Sequence, residues 1–303
     1  LILDIIMGKV IGTTRNGIGP AYADKATRME GERLVNIRLA DLIDNPKMYG
    51  NLIRKNLLFV CKAHKIKVKN PDAQIAEIMD ALSRVKNYVE MDPLYLQKKV
   101  EKGARVLFEG AQSAMLDVSR GSVPFVTSSS TIASAAYVGG DLPVFYHRKT
   151  IGIVKAVMSR VGNGPFPSEY GGKKSEIYCI ASEKDGKPKY RTEVEKKLDV
   201  EKLLTSSDSF KLGIALRILS GEYGTRTTRP RRIGMFDLVQ LLYSSKMNGV
   251  DELIINKCDI LSFYGKTKKG KIPVVNDYKL DNKTIDYLPS SSDATYRVLP
   301  NVV

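Results

Sequence analysis

Apolar residues recur at helical spacing in some segments of the chain and in short uninterrupted runs in others. After Pro71-Asp72 an apolar face repeats every three or four residues, which predicts a helix that begins there. A break at Asn45-Pro46 divides two further helical segments, and Gly221 and Gly249 are stop signals for two more. The helices predicted in this way are 22–44, 50–64, a segment from Pro71, Phe210 to Leu219 and Phe236 to Met247.

The uninterrupted apolar runs predict strands. They are found near the start of the chain, at Arg105 to Phe108, at Thr150 to Val157 and at Leu253 to Ile255. The polar, lysine-rich segment 171–206 is predicted to form surface loops and a hairpin. Alternating strands and helices favour an α/β fold with a central, mostly parallel sheet flanked by helices, formed as a single large domain over 1–303. In such folds ligands bind at the carboxyl ends of strands.

Composition narrows the class of protein. With 303 residues, 43% hydrophobic and 27% charged, the chain is predicted to be soluble and folded. The longest uncharged run, 121–140, is rich in Ser, Thr and Gly, and therefore no membrane span is predicted. The three cysteines are far apart and fit neither a disulfide framework nor a zinc site, which favours a reducing, cytoplasmic location. Because the first residue is Leu1, we expect the chain to be a fragment that lost its true start.

The net charge of +15 predicts an anionic partner. A nucleic acid and a phosphorylated small molecule are both candidates, and a solvated basic surface without a specific partner is the alternative. The arginines lie in one loop after a helix, and no recognition helix or aromatic stacking motif accompanies them. We therefore expect no nucleic acid as a partner.

Two polar segments could hold an anion. The glycines of Gly12 to Pro20 allow backbone N–H groups to converge, and Thr14 adds a hydroxyl donor. Gln112 follows a predicted strand, and Val126 to Ser130 offers several hydroxyl groups. An ordinary turn and a polar loop with local hydrogen bonds are the alternatives for these segments.

Two later segments carry more specific chemistry. Four arginines fall between Arg226 and Arg232, and such a cluster repels itself unless anions lie among the guanidinium groups. A solvated basic loop and a nuclear-type address are the alternatives. Asn256-Lys257-Cys258-Asp259 directly follows an apolar run, and an aspartate there can accept two hydrogen bonds from guanine. This tetrapeptide resembles the guanine-specificity motif of GTP-binding proteins.

Taken in order, these motifs resemble the adenylosuccinate synthetase family. The matching blocks are Gly12 to Lys25, Glu109 to Gln112, Pro124 to Ser129, Arg160 to Glu169, Thr225 to Arg232 and Lys257-x-Asp259. The resemblance covers about residues 8–262. It implies a P-loop-GTPase-like nucleotide-binding architecture and a ligase that joins L-aspartate to IMP with GTP. The 6-oxygen of IMP would first be phosphorylated, and the aspartate amine would then displace phosphate.

The resemblance also implies residue roles. IMP would be bound by Thr14, Arg28, Gln112, Thr127 and Arg229, with Arg28 reaching the partner's site in a homodimer. The aspartate-binding loop would be Thr225, Arg226, Thr227, Thr228, Arg229, Pro230 and Arg231. GTP would be bound by Arg231, Lys257, Cys258 and Asp259.

The chain departs from the family pattern at the groups that carry the chemistry. The family's Gly-Asp-Glu-Gly-Lys-Gly loop, with its aspartate base and Mg²⁺ ligand, does not occur, nor does the catalytic histidine that follows it. We therefore expect Mg²⁺ as cofactor, with its ligands and the catalytic residues outside these 303 residues. Arg226, Thr228, Pro230 and Met235 also differ from the usual residues. A related viral-type synthetase that acts on dGMP and a catalytically dead fragment are the alternatives.

Overall fold

A computed structural model of the chain describes residues 3–4, 13, 16–184, 188–225, 228–267, 269–289 and 299–303. The chain divides into two compact units. The first consists of Leu1–Asp4, Asn16–Phe108 and Tyr137–Pro143, and the second of Ile5–Arg15, Glu109–Ala136 and Val144–Val303. The expectation of a single domain over 1–303 stays a prediction.

The first unit is mainly helical. Its elements are α1 (Ile18–Thr27), β1 (Met29–Glu30), β2 (Arg33–Leu34), α2 (Leu39–Asp44), α3 (Pro46–Ala63), α4 (Pro71–Val85), a 3₁₀ turn (Lys86–Tyr88) and α5 (Tyr95–Glu101). Helices α3 and α4 begin alike, because Asn45 and Asn70 each accept a backbone N–H and a proline occupies the first turn. Gly50 lets α3 approach α4 closely, since a Cβ there would lie 3.1 Å from Met79 Cε.

Two sequence predictions in this unit are wrong. Residues 22–44 do not form one helix, because the antiparallel pair β1–β2 interrupts them and turns at Gly31, which has a φ of 59°. Residues 105–108 form no strand, and Leu107 is 87% exposed. The run pairs with no strand that the structure describes, so its backbone does not form the strand hydrogen bonds that the apolar pattern predicted.

Helix α6 (Ala135–Gly139) and the 3₁₀ turns Ala114–Leu116 and Val144–Tyr146 precede the longer elements of the second unit. The helices are α7 (Gly172–Lys184), α8 (Pro188–Glu195), α9 (Val200–Leu204), α10 (Ser209–Ser220), α11 (Leu238–Asn248) and a 3₁₀ helix (Cys258–Lys266). The strands are β3 (Ile151–Lys155), β4 (Met158–Arg160), β5 (Arg232–Gly234), β6 (Phe236–Asp237), β7 (Glu252–Asn256), β8 (Val274–Leu280), β9 (Lys283–Ile285) and β10 (Leu299–Val302).

Strand pairing in the second unit is mixed. Strands β3 and β7 pair in parallel, as do β6 and β8, whereas β4–β5, β8–β9 and β8–β10 are antiparallel. The predicted α/β class with parallel strands is confirmed. A core of Val157, Tyr170, Leu216, Ile233, Ile260 and Tyr264 lies between α10, β5 and the 3₁₀ helix. The hydroxyls of Tyr170 and Tyr264 are 2.8 Å apart in that core, where burial raises the pKa of Tyr264 to about 12.

Segment 171–206 contains α7, α8 and α9, so the prediction of loops and a hairpin is wrong. The buried positions of these helices include polar side chains, among them Ser175, Glu176 and Glu195. A helix that buries carboxylates shows little apolar periodicity, which is why the pattern pointed to loops. Among the residues described, no helix has the length and apolar character needed to cross a membrane.

Candidate active site

The loop Gly224–Arg231, called the arginine loop below, lies between α10 and β5. Tyr223 and Pro230 pair across its base as an antiparallel bridge. The amide of Arg231 donates to the carbonyl of Glu222 at 3.0 Å. The base of the loop is therefore closed by backbone hydrogen bonds.

Glu222 is a buried carboxylate beside this base. Its Oε2 accepts from Lys155 Nζ at 2.8 Å, from Ser159 Oγ at 2.7 Å and from Arg231 Nη1 at 2.8 Å. The Glu222 side chain is 4% exposed. One carboxylate is thus shared by two cations, and this places a net positive charge where β3 ends beside the loop.

The pKa shifts of this cluster follow from its burial and its charges. Burial alone would raise the pKa of Glu222, but hydrogen bonds from Lys155 and Ser159 outweigh it and hold the pKa below its ordinary value. Burial lowers the pKa of the Lys155 ammonium; Glu222 opposes this shift, and the nearby cations Arg231 and Lys257 add to it. Two cations on one carboxylate, with Lys257 close enough to act on Lys155, favour an anionic ligand such as a phosphate group.

Two buried ion pairs lie next to the end of the arginine loop, at Arg231 and Arg232. Arg232 donates to Glu169 Oε2 through Nε at 3.0 Å and Nη2 at 2.6 Å. Arg217 makes a bidentate pair with Glu195 at 2.9 and 2.8 Å, and its Nη1 donates to the Arg231 carbonyl at 2.7 Å. Protein carboxylates therefore supply part of the negative charge that the clustered arginines require. The alternative of a solvated basic loop is wrong for Arg232, which is 3% exposed.

The Asn-Lys-x-Asp motif lies directly after β7, as predicted. Asn256 is in register with Lys155 in the parallel pair β3–β7. Lys257 has a φ of 61°, and its Nζ donates to the carbonyl of Ser220 at the end of α10. Asp259 lies in the first turn of the following 3₁₀ helix and is exposed. The motif thus places a carboxylate on the surface at the carboxyl end of a parallel strand.

The segment from Gln112 to Thr131 is organised by the fully buried Asp117. Burial would raise the pKa of Asp117, but the hydrogen bonds it accepts lower the pKa to about 2. The donors are the amides of Thr131, Ser119 and Arg120 and the hydroxyl of Ser130, at 2.7 to 2.9 Å. One carboxylate therefore fixes both ends of the loop that presents Thr127.

Gln112 and Thr127 differ in how they are held. Gln112 is exposed and has a φ of 60°, a left-handed backbone that is uncommon for a residue with a side chain. Thr127 is half-buried, and its amide donates to the carbonyl of Leu116 at 2.8 Å. The Arg160 guanidinium donates to the Phe125 carbonyl at 3.0 Å, close to Thr127 in the chain.

The same Arg160 connects this segment to the arginine loop, because it lies opposite Arg232 in the antiparallel pair β4–β5. A cavity of about 20 Å³ remains between the 160–162 turn and the arginine loop. Val161, Gly162, Arg229, Pro230 and Arg231 are among the residues that line it. That volume accommodates about one water molecule, so the two segments pack closely together.

Comparison with known proteins decides the family. The family model described as adenylosuccinate synthetase matches residues 4–303. The chain belongs to the adenylosuccinate synthetase family.

Individual relatives agree with this family assignment. The chain is 46% identical over 273 residues to adenylosuccinate synthetase 2 of Cupriavidus pinatubonensis, covering 88% of this chain and 58% of that protein. It is 34% identical over 296 residues to adenylosuccinate synthetase of Lactobacillus gasseri, covering 96% of this chain and 57% of that protein.

A solved structure shows the same fold. The fully ligated adenylosuccinate synthetase from Plasmodium falciparum matches with a TM-score of 0.76 and 25% identity. The match covers 100% of this chain and 60% of that one. The chain thus spans less than two thirds of the length of each of these three relatives.

The structure brings most of the predicted site residues of this family member into the second unit. These are Gln112, Thr127, Thr225, Thr228, Arg229, Pro230, Arg231, Lys257, Cys258 and Asp259. Arg28 belongs to the first unit, where it ends α1 with a φ of 63°. Thr14, Arg226 and Thr227 lie outside the described residues. The roles of all these residues stay predictions.

A metal ion was predicted to bind outside these 303 residues. Within the described part of the chain, no group of three or more His, Cys, Asp or Glu side chains is arranged to hold a metal. The carboxylates at the candidate site do not fit Mg²⁺ either, because Glu222, Glu169 and Glu195 already bind cationic side chains. The position of the Mg²⁺ ligands stays a prediction.

Sequence reasoning missed the residues that position the arginine loop. Lys155 and Ser159 lie near the ends of β3 and β4, and Glu222 directly follows the helix-ending Gly221. Their positions next to strand ends and a helix stop were the available signal. Their pairing was not visible, because Lys155 and Glu222 are 67 residues apart in the chain.

Proposed function

We propose that the protein containing this chain joins L-aspartate to IMP at the expense of GTP, and that it forms adenylosuccinate, GDP and phosphate. The observation that carries the proposal is the proximity of two kinds of site in one compact unit. Glu222 binds both Arg231 of the arginine loop and Lys155, which is in register with Asn256 of the guanine motif. An anion-binding loop beside a guanine-binding motif fits a GTP-dependent ligase that uses an acidic substrate.

In this proposal the arginine loop binds the carboxylates of aspartate. Arg229 contacts an aspartate carboxylate and the ribose of IMP, and Thr225 to Arg231 form the aspartate-binding loop. Support comes from the base of the loop, which backbone hydrogen bonds close. A preformed site loses less conformational entropy on binding, and aspartate is oriented for attack at C6 of the purine.

The phosphates and the guanine of GTP bind on the β3–β7 side. Arg231 and Lys155 stabilise the negative charge that develops during phosphoryl transfer to the 6-oxygen of IMP. Arg231 Nε is buried and lacks a hydrogen-bond partner among the residues that the structure describes, so one guanidinium donor remains available. Asp259 accepts from N1–H and the N2 amine of guanine, and Lys257 and Cys258 flank the base.

In this proposal, residues of the second unit bind IMP. Gln112 and Thr127 contact IMP, with Thr14 and Thr127 at its phosphate, and Arg28 reaches the IMP phosphate of a second copy in a homodimer. Mg²⁺ is required as cofactor and assists transfer of the phosphoryl group when it is bound. The general base and the metal ligands are contributed from outside these 303 residues, and the enzyme works in the cytoplasm.

The test is an assay on the protein as its gene encodes it. We expect adenylosuccinate to form only when IMP, L-aspartate, GTP and Mg²⁺ are all present, with dGMP as a poor acceptor. Turnover of dGMP in place of IMP would favour the viral-type activity. Absence of turnover with either acceptor would contradict the proposal. The purified 303-residue chain serves as the matched control, and we expect it to be inactive because it lacks the base.

A further inference from the structure

The tip of the arginine loop is held in an unusual backbone conformation. Thr228 has a φ of 52°, in the left-handed region that β-branched residues rarely adopt. Its amide donates to the carbonyl of Gly224 at 2.7 Å, which closes a tight turn. A strained residue of this kind persists only where its surroundings hold it in place.

A buried hydroxyl on a neighbouring helix contacts this strained residue. Thr192 of α8 is 6% exposed, and its Oγ1 donates to the carbonyl oxygen of Thr228 at 2.5 Å. Three residues later on the same face of α8, Glu195 accepts from the Tyr223 hydroxyl at 2.8 Å. Helix α8 therefore binds the arginine loop at its tip through Thr192 and at its base through Glu195.

The carbonyl of Thr228 belongs to the peptide plane that leads into Arg229. Because the peptide group is planar, a hydrogen bond that fixes this oxygen also fixes the orientation of the Arg229 amide. The amide of Gly224 in turn donates to the Arg229 carbonyl at 2.8 Å, so both peptide groups of Arg229 are held. The direction in which the Arg229 side chain leaves the backbone is thereby restricted.

We infer that Thr192 is a positioning residue for binding of the dicarboxylate substrate. Its hydroxyl holds the Thr228 peptide in the left-handed turn and so orients Arg229 toward the substrate carboxylate. The inference rests on the proposed function, in which the arginine loop binds L-aspartate. Thr192 itself contacts no reacting atom in this account, and it acts through Arg229 on L-aspartate and on the ribose of IMP but not on GTP.

The experiment compares Thr192→Val, which keeps the shape and removes the hydroxyl, with Thr192→Ser, which keeps the hydroxyl. In the protein as its gene encodes it, the valine variant should raise KM for L-aspartate by about fivefold, the scale of one lost hydrogen bond. We expect kcat and KM for GTP, which Arg229 does not contact, to change by less than about twofold. The serine variant should restore KM for L-aspartate.

Thr267→Val is the matched control, because the Thr267 hydroxyl also donates to a backbone carbonyl, that of Tyr264 at 2.7 Å. It should leave KM for L-aspartate unchanged. A second readout is the hydrogen-exchange rate of the Thr228 amide. Compared with the unmodified protein, this rate should be higher in Thr192→Val and unchanged in Thr192→Ser.

The outcomes separate this inference from the proposed function. If the unmodified protein forms no adenylosuccinate, the proposed function fails, and this inference fails with it. If that protein is active and Thr192→Val matches it in KM for L-aspartate, the inference alone fails. Parallel increases in all three KM values, or failure of the serine variant to restore binding, would also overturn it.

Discussion

The arginine loop and the guanine motif lie in the same unit but are supported in opposite ways. Around the loop, Arg217 and Arg232 are almost completely buried and bind buried carboxylates. In β7 the residues Leu253, Ile254 and Ile255 are 40%, 50% and 45% exposed. Because adjacent side chains of a strand point to opposite faces, both faces of β7 are partly exposed. The loop is held by charged groups inside the protein, whereas the motif is carried by an exposed two-stranded ladder.

This difference separates stability from recognition. Substitutions among the buried carboxylates and arginines change the free energy of unfolding, because each removal leaves a charge without its partner. A substitution at the exposed Asp259 removes a group that is expected to interact mainly with a ligand. We therefore expect the largest change in unfolding free energy at the buried ion pairs and the smallest at Asp259.

The largest effect is expected for Arg217→Met. Arg217 and Glu195 are 1% and 0% exposed, so the variant leaves a fully buried carboxylate unpaired. The free energy of unfolding should fall by about 3–5 kcal/mol, measured by urea denaturation. Lys98→Met is the matched control, because its ion pair with Asp92 is exposed to solvent and is expected to contribute little to stability. Equal losses in the two variants would contradict the importance of burial.

An intermediate effect is expected for Asp117→Asn. In the folded protein the pKa of Asp117 is lowered to about 2, below its ordinary value of 3.8. Such a group stabilises the fold above the unfolded pKa, and the stabilisation is lost as pH falls through the folded pKa. At pH 7 the contribution is about 2 kcal/mol.

The check is urea denaturation of the unmodified protein and Asp117→Asn at a series of pH values. The difference in unfolding free energy should be constant above about pH 5 and should shrink as the pH falls toward about 2. A difference that stays the same across that range would show that the Asp117 charge is not responsible.

Features whose signal lies within a few adjacent residues could be predicted from the sequence, whereas contacts between distant residues could not. Gly221 was predicted to stop α10, and Asp259 was predicted to follow a strand, because both signals lie within a few adjacent residues. The buried pairs join residues 22 to 67 positions apart, as in Arg217–Glu195 and Lys155–Glu222. No periodicity records such a pairing, and glutamates buried on α7 and α8 resemble exposed ones in sequence.

The Arg105–Phe108 run shows that a local apolar pattern can also predict a strand that does not form. Its apolar pattern is typical of a buried strand, yet Leu107 is 87% exposed and the run has irregular backbone. A strand requires a partner for its backbone hydrogen bonds, and the pattern of one segment carries no information about that partner. Strand β7 has the same apolar character and does form a ladder, because β3 pairs with it over five residues.

The most direct test of the account is the nucleotide preference of Asp259→Asn. The variant replaces one acceptor oxygen of an exposed carboxylate with a donor, so unfolding free energy should change by less than about 0.5 kcal/mol. Guanine offers Asp259 two hydrogen-bond donors, whereas xanthine carries an oxygen in place of the amine. The variant should therefore have a lower kcat/KM with GTP and a higher kcat/KM with XTP.

The measurement is the ratio of kcat/KM for GTP to kcat/KM for XTP, in the protein as its gene encodes it and in the variant. The account predicts that the loss with GTP amounts to about 2–4 kcal/mol of transition-state stabilisation and that the ratio falls accordingly. An unchanged ratio, accompanied by a lower free energy of unfolding, would mean that Asp259 only caps the turn after β7 and would contradict the proposed GTP site.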